Sequence, residues 1–175
     1  MIPSREHVCR RVGAYLPLAQ ETGARYGISP DWLLAMVCQE SAGNPYAIRV
    51  ERGFLARYLS GLKALVLSTA SDRDDYWMTF PDLFSTSYGL LQVMYPVAVE
   101  LGVELRYPTE LCDPGINFDA ACRKLVRDKK LAPAGFNNLL LRYNGGGDAE
   151  YPIRVGAWRQ DLLTAGIVPR LTEAV

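Results

Sequence analysis

The chain has 175 residues, of which 49% are hydrophobic and 22% charged, an ordinary globular composition with enough length to bury a core. Nineteen basic side chains balance nineteen acidic ones, which argues against a partner held by bulk charge, nucleic acid above all. No run is long and apolar enough to span a bilayer, and Met1–His7 lacks the basic-then-apolar order of a secretory signal.

Cys9, Cys38, Cys112 and Cys122 form no CxxC pair, and His7 is the single histidine, so neither a zinc site nor any cofactor is expected. Cys38 has no second histidine to serve as its base and reads as a small buried side chain. Free thiols fit synthesis in a reducing compartment.

In chain order, Val8, Val12, Leu16 and Ala19 recur at helical spacing, and Pro17 splits that stretch into a short helix and a second one to about Tyr26. Ser29-Pro30-Asp31 then opens a helix with an N-cap, a proline at the first helical position and a charge favoured by the dipole. Gly43 and Pro45 stop it. Leu33, Met36 and Val37 share one face, and Glu40 falls on that face. Burial and the helix C-terminus both oppose ionisation of Glu40, so its pKa is expected to be raised, as a general acid requires.

An amphipathic helix is expected from about Gly53 to Ser68, a charged loop at Ser71–Asp75 and an irregular aromatic stretch from Tyr76 to Phe84. Ser85–Met94 reads as a helix that Pro96 starts afresh or kinks. Asp113-Pro114 caps a helix through Val126, Gly135–Tyr143 forms another that breaks at Gly145-Gly146-Gly147, and a last one runs from about Tyr151 to Thr164. Val, Ile and Thr never alternate over a strand-length run. The expectation is a mainly α fold, a single domain over residues 1–175.

Three separated pieces carry the chemistry: Glu40-Ser41-Ala42-Gly43-Asn44-Pro45, Gly89-Leu90-Leu91-Gln92-Val93-Met94 and Tyr143-Asn144-Gly145-Gly146. Taken singly, Gln92 and Met94 suit packing, and Tyr143-Asn144-Gly145 suits a helix C-cap. Taken in order, and with Asp113-Pro114 and Asn117 added, they resemble the soluble lytic transglycosylase (SLT) family from about Leu16 to Leu163. The resemblance implies a lysozyme-like helical domain of the goose type, here with an inserted helix-loop segment at about 49–84.

The same resemblance implies that Glu40 is the lone acid/base on the glycosidic bond between N-acetylmuramic acid and N-acetylglucosamine. The muramyl 6-hydroxyl attacks C1 and leaves a 1,6-anhydro product. Ser87, Gln92, Met94, Tyr143 and Asn144 are implied glycan contacts, and the partner is the peptidoglycan glycan strand. An intramolecular hydroxyl at high effective concentration removes the need for a second carboxylate. Leu91 departs from the family's methionine, and Arg142 and Gly145 from its alanines.

The insert supplies Glu51, Asp72, Asp74, Asp75 and Asp82 as candidates for a second carboxylate, Glu51 foremost. With one of them activating water, the reading becomes a hydrolytic muramidase, whose carboxyls stand roughly 6.5–9.5 Å apart if it inverts. A non-catalytic wall-binding or virion module is the third reading. The long insert and the missing signal resemble phage- or prophage-encoded members, with host cytoplasm or virion as the expected location and other virion proteins as further partners.

Overall fold

The computed structural model describes residues 3–51, 81–131 and 135–169, which fall into two units. One takes residues 1–43 and 125–175, the other residues 44–124.

In the first unit, α1 (Arg5–Gly13) starts where Ser4 Oγ accepts from the His7 N–H at 3.2 Å. The chain turns at Ala14-Tyr15, ahead of Pro17, and α2 (Leu16–Tyr26) ends on Gly27 in the left-handed region. That is the split expected from Pro17. The next helix, α3 (Pro30–Ser41), has Pro30 at its first position but no cap from Ser29. The Ser29 hydroxyl donates to Asp31 Oδ1 instead, and that oxygen also accepts from the Trp32 N–H at 2.9 Å.

Every residue from Leu33 to Cys38 is buried. The expected one-sided face is therefore replaced by a helix that is apolar all round, as a central helix must be. It is covered by α1, α2 and α8 (Tyr151–Thr164). Ala42 and then Gly43 take left-handed backbone and end it. A Cβ on Gly43 would lie 2.9 Å from Val12 Cγ2, so glycine lets α1 close against the end of α3. The unit is completed by the C-terminal part of α6 (Pro114–Leu131) and by α7 (Gly135–Tyr143). The turn after α7 uses positive φ at Gly145 and Gly146, the break expected from the glycine run.

The second unit contains the sheet that the sequence pattern did not announce. β1 (Ile48–Val50), β2 (Thr86–Tyr88) and β3 (Val93–Met94) pair antiparallel in that order, with Arg49 opposite Ser87 and Ser87 opposite Met94. The helix expected over Ser85–Met94 is thus a hairpin. Gly89 and Gln92 both take positive φ, which no right-handed helix accommodates, and the chain reverses between them. A single helical turn, α4 (Pro81–Phe84), precedes it, and α5 (Tyr95–Glu100) follows with Pro96 in its first turn, as expected. The expected helix at Gly53–Ser68 and the loop after it lie outside the described residues.

Asn117 organises this unit. Its side chain is fully buried, with Nδ2 donating to the carbonyls of Tyr88 and Leu111 at 2.9 Å each and Oδ1 accepting from the Leu91 N–H at 2.7 Å. Its own helix, α6, is capped by Asp113 Oδ1 accepting from the Ile116 N–H at 3.0 Å, as the Asp-Pro pair predicts. Gly89 lies so close that a Cβ there would stand 2.3 Å from the Leu111 carbonyl oxygen and 2.5 Å from Asn117 Nδ2. Asn117→Leu is expected to cost about 3 kcal/mol or more, from three hydrogen bonds at about 1 kcal/mol each, two to backbone carbonyls and one from the Leu91 N–H. Gly89→Ala should be comparably damaging, because backbone atoms have to move. Urea unfolding measures both, and unchanged midpoints would remove Asn117 from this role.

Candidate active site

Glu40 occupies the next-to-last position of α3 and is half-buried. The hydroxyl of Tyr151 donates to Glu40 Oε1 at 2.5 Å. Tyr151 is 2% exposed and is the first residue of α8, which packs along α3. At the other end of the same pair, Arg159 Nε donates to the buried Asp31 Oδ2 at 2.5 Å, while the Arg159 guanidinium lies 4.7 Å from the centre of the Trp32 ring. The two bonds set α3 and α8 antiparallel and place the Tyr151 hydroxyl on the Glu40 carboxyl.

The start of α8 is itself built by charge. The Tyr151 N–H donates to the Asp148 carbonyl at 3.1 Å, and the Glu150 N–H donates to Asp148 Oδ1 at 3.1 Å. Arg154 pairs with the same carboxylate and holds the Asp148 carboxyl below its ordinary range. The end of α3 is supported from α1, where Arg11 Nη1 donates to the Ala42 carbonyl at 3.3 Å.

Tyr143 is buried in the last turn of α7, which packs against α8, and Asn144 is half-buried in the turn that follows. The first unit holds Glu40, Tyr143 and Asn144, with α3 and α7 each packed against α8. Asn144 also ends the helix, its N–H donating to the Leu140 carbonyl at 3.1 Å, so the capping role expected of this segment taken singly is real. Arg142, one of the departures from the family pattern, stands 3.8 Å from the buried carboxylate of Asp128.

The second unit holds the other named residues. Ser87 is buried on β2, and its hydroxyl donates to Glu51 Oε1 at 3.3 Å. That oxygen also accepts from Arg49 Nε at 2.6 Å. Glu51 directly follows β1, and its N–H donates to the Ser85 carbonyl at 2.7 Å. Gln92 and Met94 are both half-buried in the hairpin. The Gln92 amide donates to the carbonyls of Ala47 and Gly89 at 3.0 and 2.9 Å, so it braces β1 and the turn. Asp72, Asp74 and Asp75 lie outside the described residues, as does the Asp82 side chain. Among the described residues no cluster of His, Cys, Asp and Glu converges as a metal site, and no helix is long and apolar enough to cross a membrane.

Tyr151 was not singled out by the sequence. A tyrosine before a proline at a helix start carries no signal of what its hydroxyl meets. The general expectation that a buried tyrosine needs a partner does not name Glu40.

A mainly helical chain with a small sheet, its buried central helix ending in a tyrosine-held carboxyl, is of the lysozyme-like class. The chain belongs to the transglycosylase SLT domain family, whose model matches residues 17–151 and so includes every residue named above from Glu40 to Tyr151. It is similar to the membrane-bound lytic murein transglycosylase C of Yersinia pestis (strain Pestoides F) and to that of Yersinia pseudotuberculosis serotype O:1b (strain IP 31758). Each is 43% identical over 42 residues, 24% of this chain but 12% of the relative's length. No solved structure matches the chain.

The Asp148 pair has a pH signature. A carboxyl whose folded pKa is depressed contributes stability above its unfolded value of 3.8 and loses it as pH falls through the lower folded value. Carbon-detected NMR titration should therefore give Asp148 a midpoint below 3.8, and Arg154→Ala should return it to the ordinary range. A wild-type midpoint at or above the ordinary value would dismiss the pair.

Proposed function

We propose that this chain is a peptidoglycan lytic transglycosylase domain with Glu40 as its only acid/base. The observation that carries the reading is the Glu40 carboxyl, held by the Tyr151 hydroxyl at the end of a buried helix in a chain of the SLT family. We retain the whole chain as one such domain with an insert at about 49–84.

Glu40 gives its proton to the glycosidic oxygen between N-acetylmuramic acid and N-acetylglucosamine, and the C1–O bond breaks toward an oxocarbenium-like state. The carboxylate then takes the proton of the muramyl 6-hydroxyl as O6 bonds to C1, closing the 1,6-anhydro ring. One carboxyl thus serves twice and is restored. Because the nucleophile belongs to the substrate, no water has to be activated. The Tyr151 hydroxyl, donating to Oε1, fixes the rotamer of Glu40 and favours its charged form as the proton leaves. Ser87, Gln92, Met94, Tyr143 and Asn144 are the glycan contacts in this reading.

Glu51 is engaged by Arg49 and Ser87, which supports the single-carboxylate scheme over a hydrolase that uses Glu51 as base. The biological setting we propose is a phage or prophage, as a lysis enzyme or a wall-perforating part of the virion, on the strength of the long 49–84 segment. Detection of the protein in purified particles, against its presence only in infected cells, separates the two roles.

Digestion of purified cell walls with mass spectrometry of the products is the deciding experiment. Muropeptides ending in 1,6-anhydro sugars are expected, and Glu40→Gln should lower their release by about 10²–10⁴-fold. Ordinary reducing ends would instead identify a hydrolase, and binding without cleavage a non-catalytic wall module. Tyr151→Phe keeps the ring and loses the hydrogen bond to Glu40, so kcat should fall roughly tenfold or more.

A further inference from the structure

A cavity of about 430 Å³ opens within the first unit, where the end of α2 and the start of α3 meet α6 and α7. That size lies inside the range of roughly 300–1,000 Å³ typical of small-molecule sites. Ile28 lines it from the turn after α2, Trp32 from α3, Val126 from α6, and Phe136 and Leu139 from α7. The Trp32 and Phe136 rings are in contact, their centroids 4.5 Å apart and their planes tilted by 37°. The Arg159 guanidinium lies 4.7 Å from the centre of the Trp32 ring, so that wall is held from two sides of the unit. Trp32 stands eight residues before Glu40 on α3, about 12 Å along the helix axis, and the cavity is therefore not the candidate active site.

The charge around the cavity is one-sided. Lys129 is exposed at its rim, and among the described residues no acidic side chain lines it. Asp128, next to Lys129 in the chain, is buried and engaged by Arg127 at 3.1 Å and Arg142 at 3.8 Å. Asp31, at the start of α3, is taken by Arg159. Neither carboxylate lines the cavity to offset Lys129 there.

We propose that this cavity is a binding site for a small aromatic anion, with its rings in the apolar chamber and its carboxylate, sulfonate or phosphate group beside Lys129. Rings suit the walls because Trp32 and Phe136 can meet them edge to face or offset. The anionic group supplies the charge that the described lining lacks. A sugar suits the cavity less well. It carries a hydroxyl on most of its carbons, and besides the Trp32 indole the described lining offers Tyr26, Ser29 and Lys129 as polar side chains. The site goes beyond the proposed function and uses no residue assigned to wall cleavage.

The test titrates the full chain with two fluorescent probes that share the same rings, anilinonaphthalene sulfonate and its uncharged counterpart N-phenyl-naphthylamine. The sulfonate is expected to saturate a single site on the folded protein, with a Kd on the order of tens of micromolar, and to shift the amide NMR signals of Ile28, Trp32 and Phe136. Lys129→Gln should weaken the sulfonate about two- to fivefold at low salt and leave the uncharged probe unchanged, because an exposed charge contact is small and screened. Val126→Phe puts a ring into the chamber and should abolish binding of both. Lys129 is exposed, so its substitution leaves the fold intact and decides the matter even where Val126→Phe does not fold. The proposal is overturned by absence of saturable binding, by NMR shifts elsewhere in the chain, or by an equal response of the two probes to Lys129→Gln, none included. Undiminished binding by a folded Val126→Phe overturns it as well, and so does displacement of the sulfonate by N-acetylglucosamine oligomers, which would make this a glycan site.

Discussion

The contact of α3 with α8 is the constraint on which the first unit depends. Apolar burial supplies its strength, but burial is non-directional and would tolerate a slide of one helix along the other. Polar bonds at both ends remove that freedom. Asp31 is buried, and a buried carboxylate without its cation is costly, so Arg159 has to meet it. With that end fixed, the Tyr151 hydroxyl falls on Glu40. A slip of one turn, about 5.4 Å, would break both bonds at once.

A comparable logic governs the second unit with different chemistry. One buried amide, Asn117, saturates three backbone groups around a turn whose glycine leaves no room for a side chain. Gln92 extends the pattern. It accepts an unfavourable left-handed backbone while its amide braces two carbonyls. The hairpin that presents Ser87 and Met94 is therefore held by side-chain amides more than by its two- and three-residue strands.

Helix existence was legible where periodicity and punctuation agreed. The break ahead of Pro17, the Asp113 cap, the stop at Gly43 and the glycine break after Tyr143 all follow local rules. The sheet was not legible, because strands of two or three residues are too short to show alternation, and Ser85–Met94 has an apolar density that also suits a helix. Glu40 stood out as a carboxyl placed among apolar positions at the end of a helix. Its partner Tyr151 lies 111 positions away, and a pair that distant leaves no trace in a single sequence. The same distance problem hid the bracing role of Gln92, which depends on a carbonyl 45 residues earlier.

The order in which the ribosome delivers these parts follows from the split of the first unit into residues 1–43 and 125–175. α3 emerges early, apolar on every side, and its largest covering helix is made last. At about 5–20 residues per second, the 111 positions from Glu40 to Tyr151 take roughly 6–22 s to synthesise. Throughout that interval a nascent chain displays the greasy side of α3 that α8 later covers, and a glutamate with no tyrosine beside it. Such a chain is a natural client for holding chaperones, and an unfinished copy lacks the group that orients its acid.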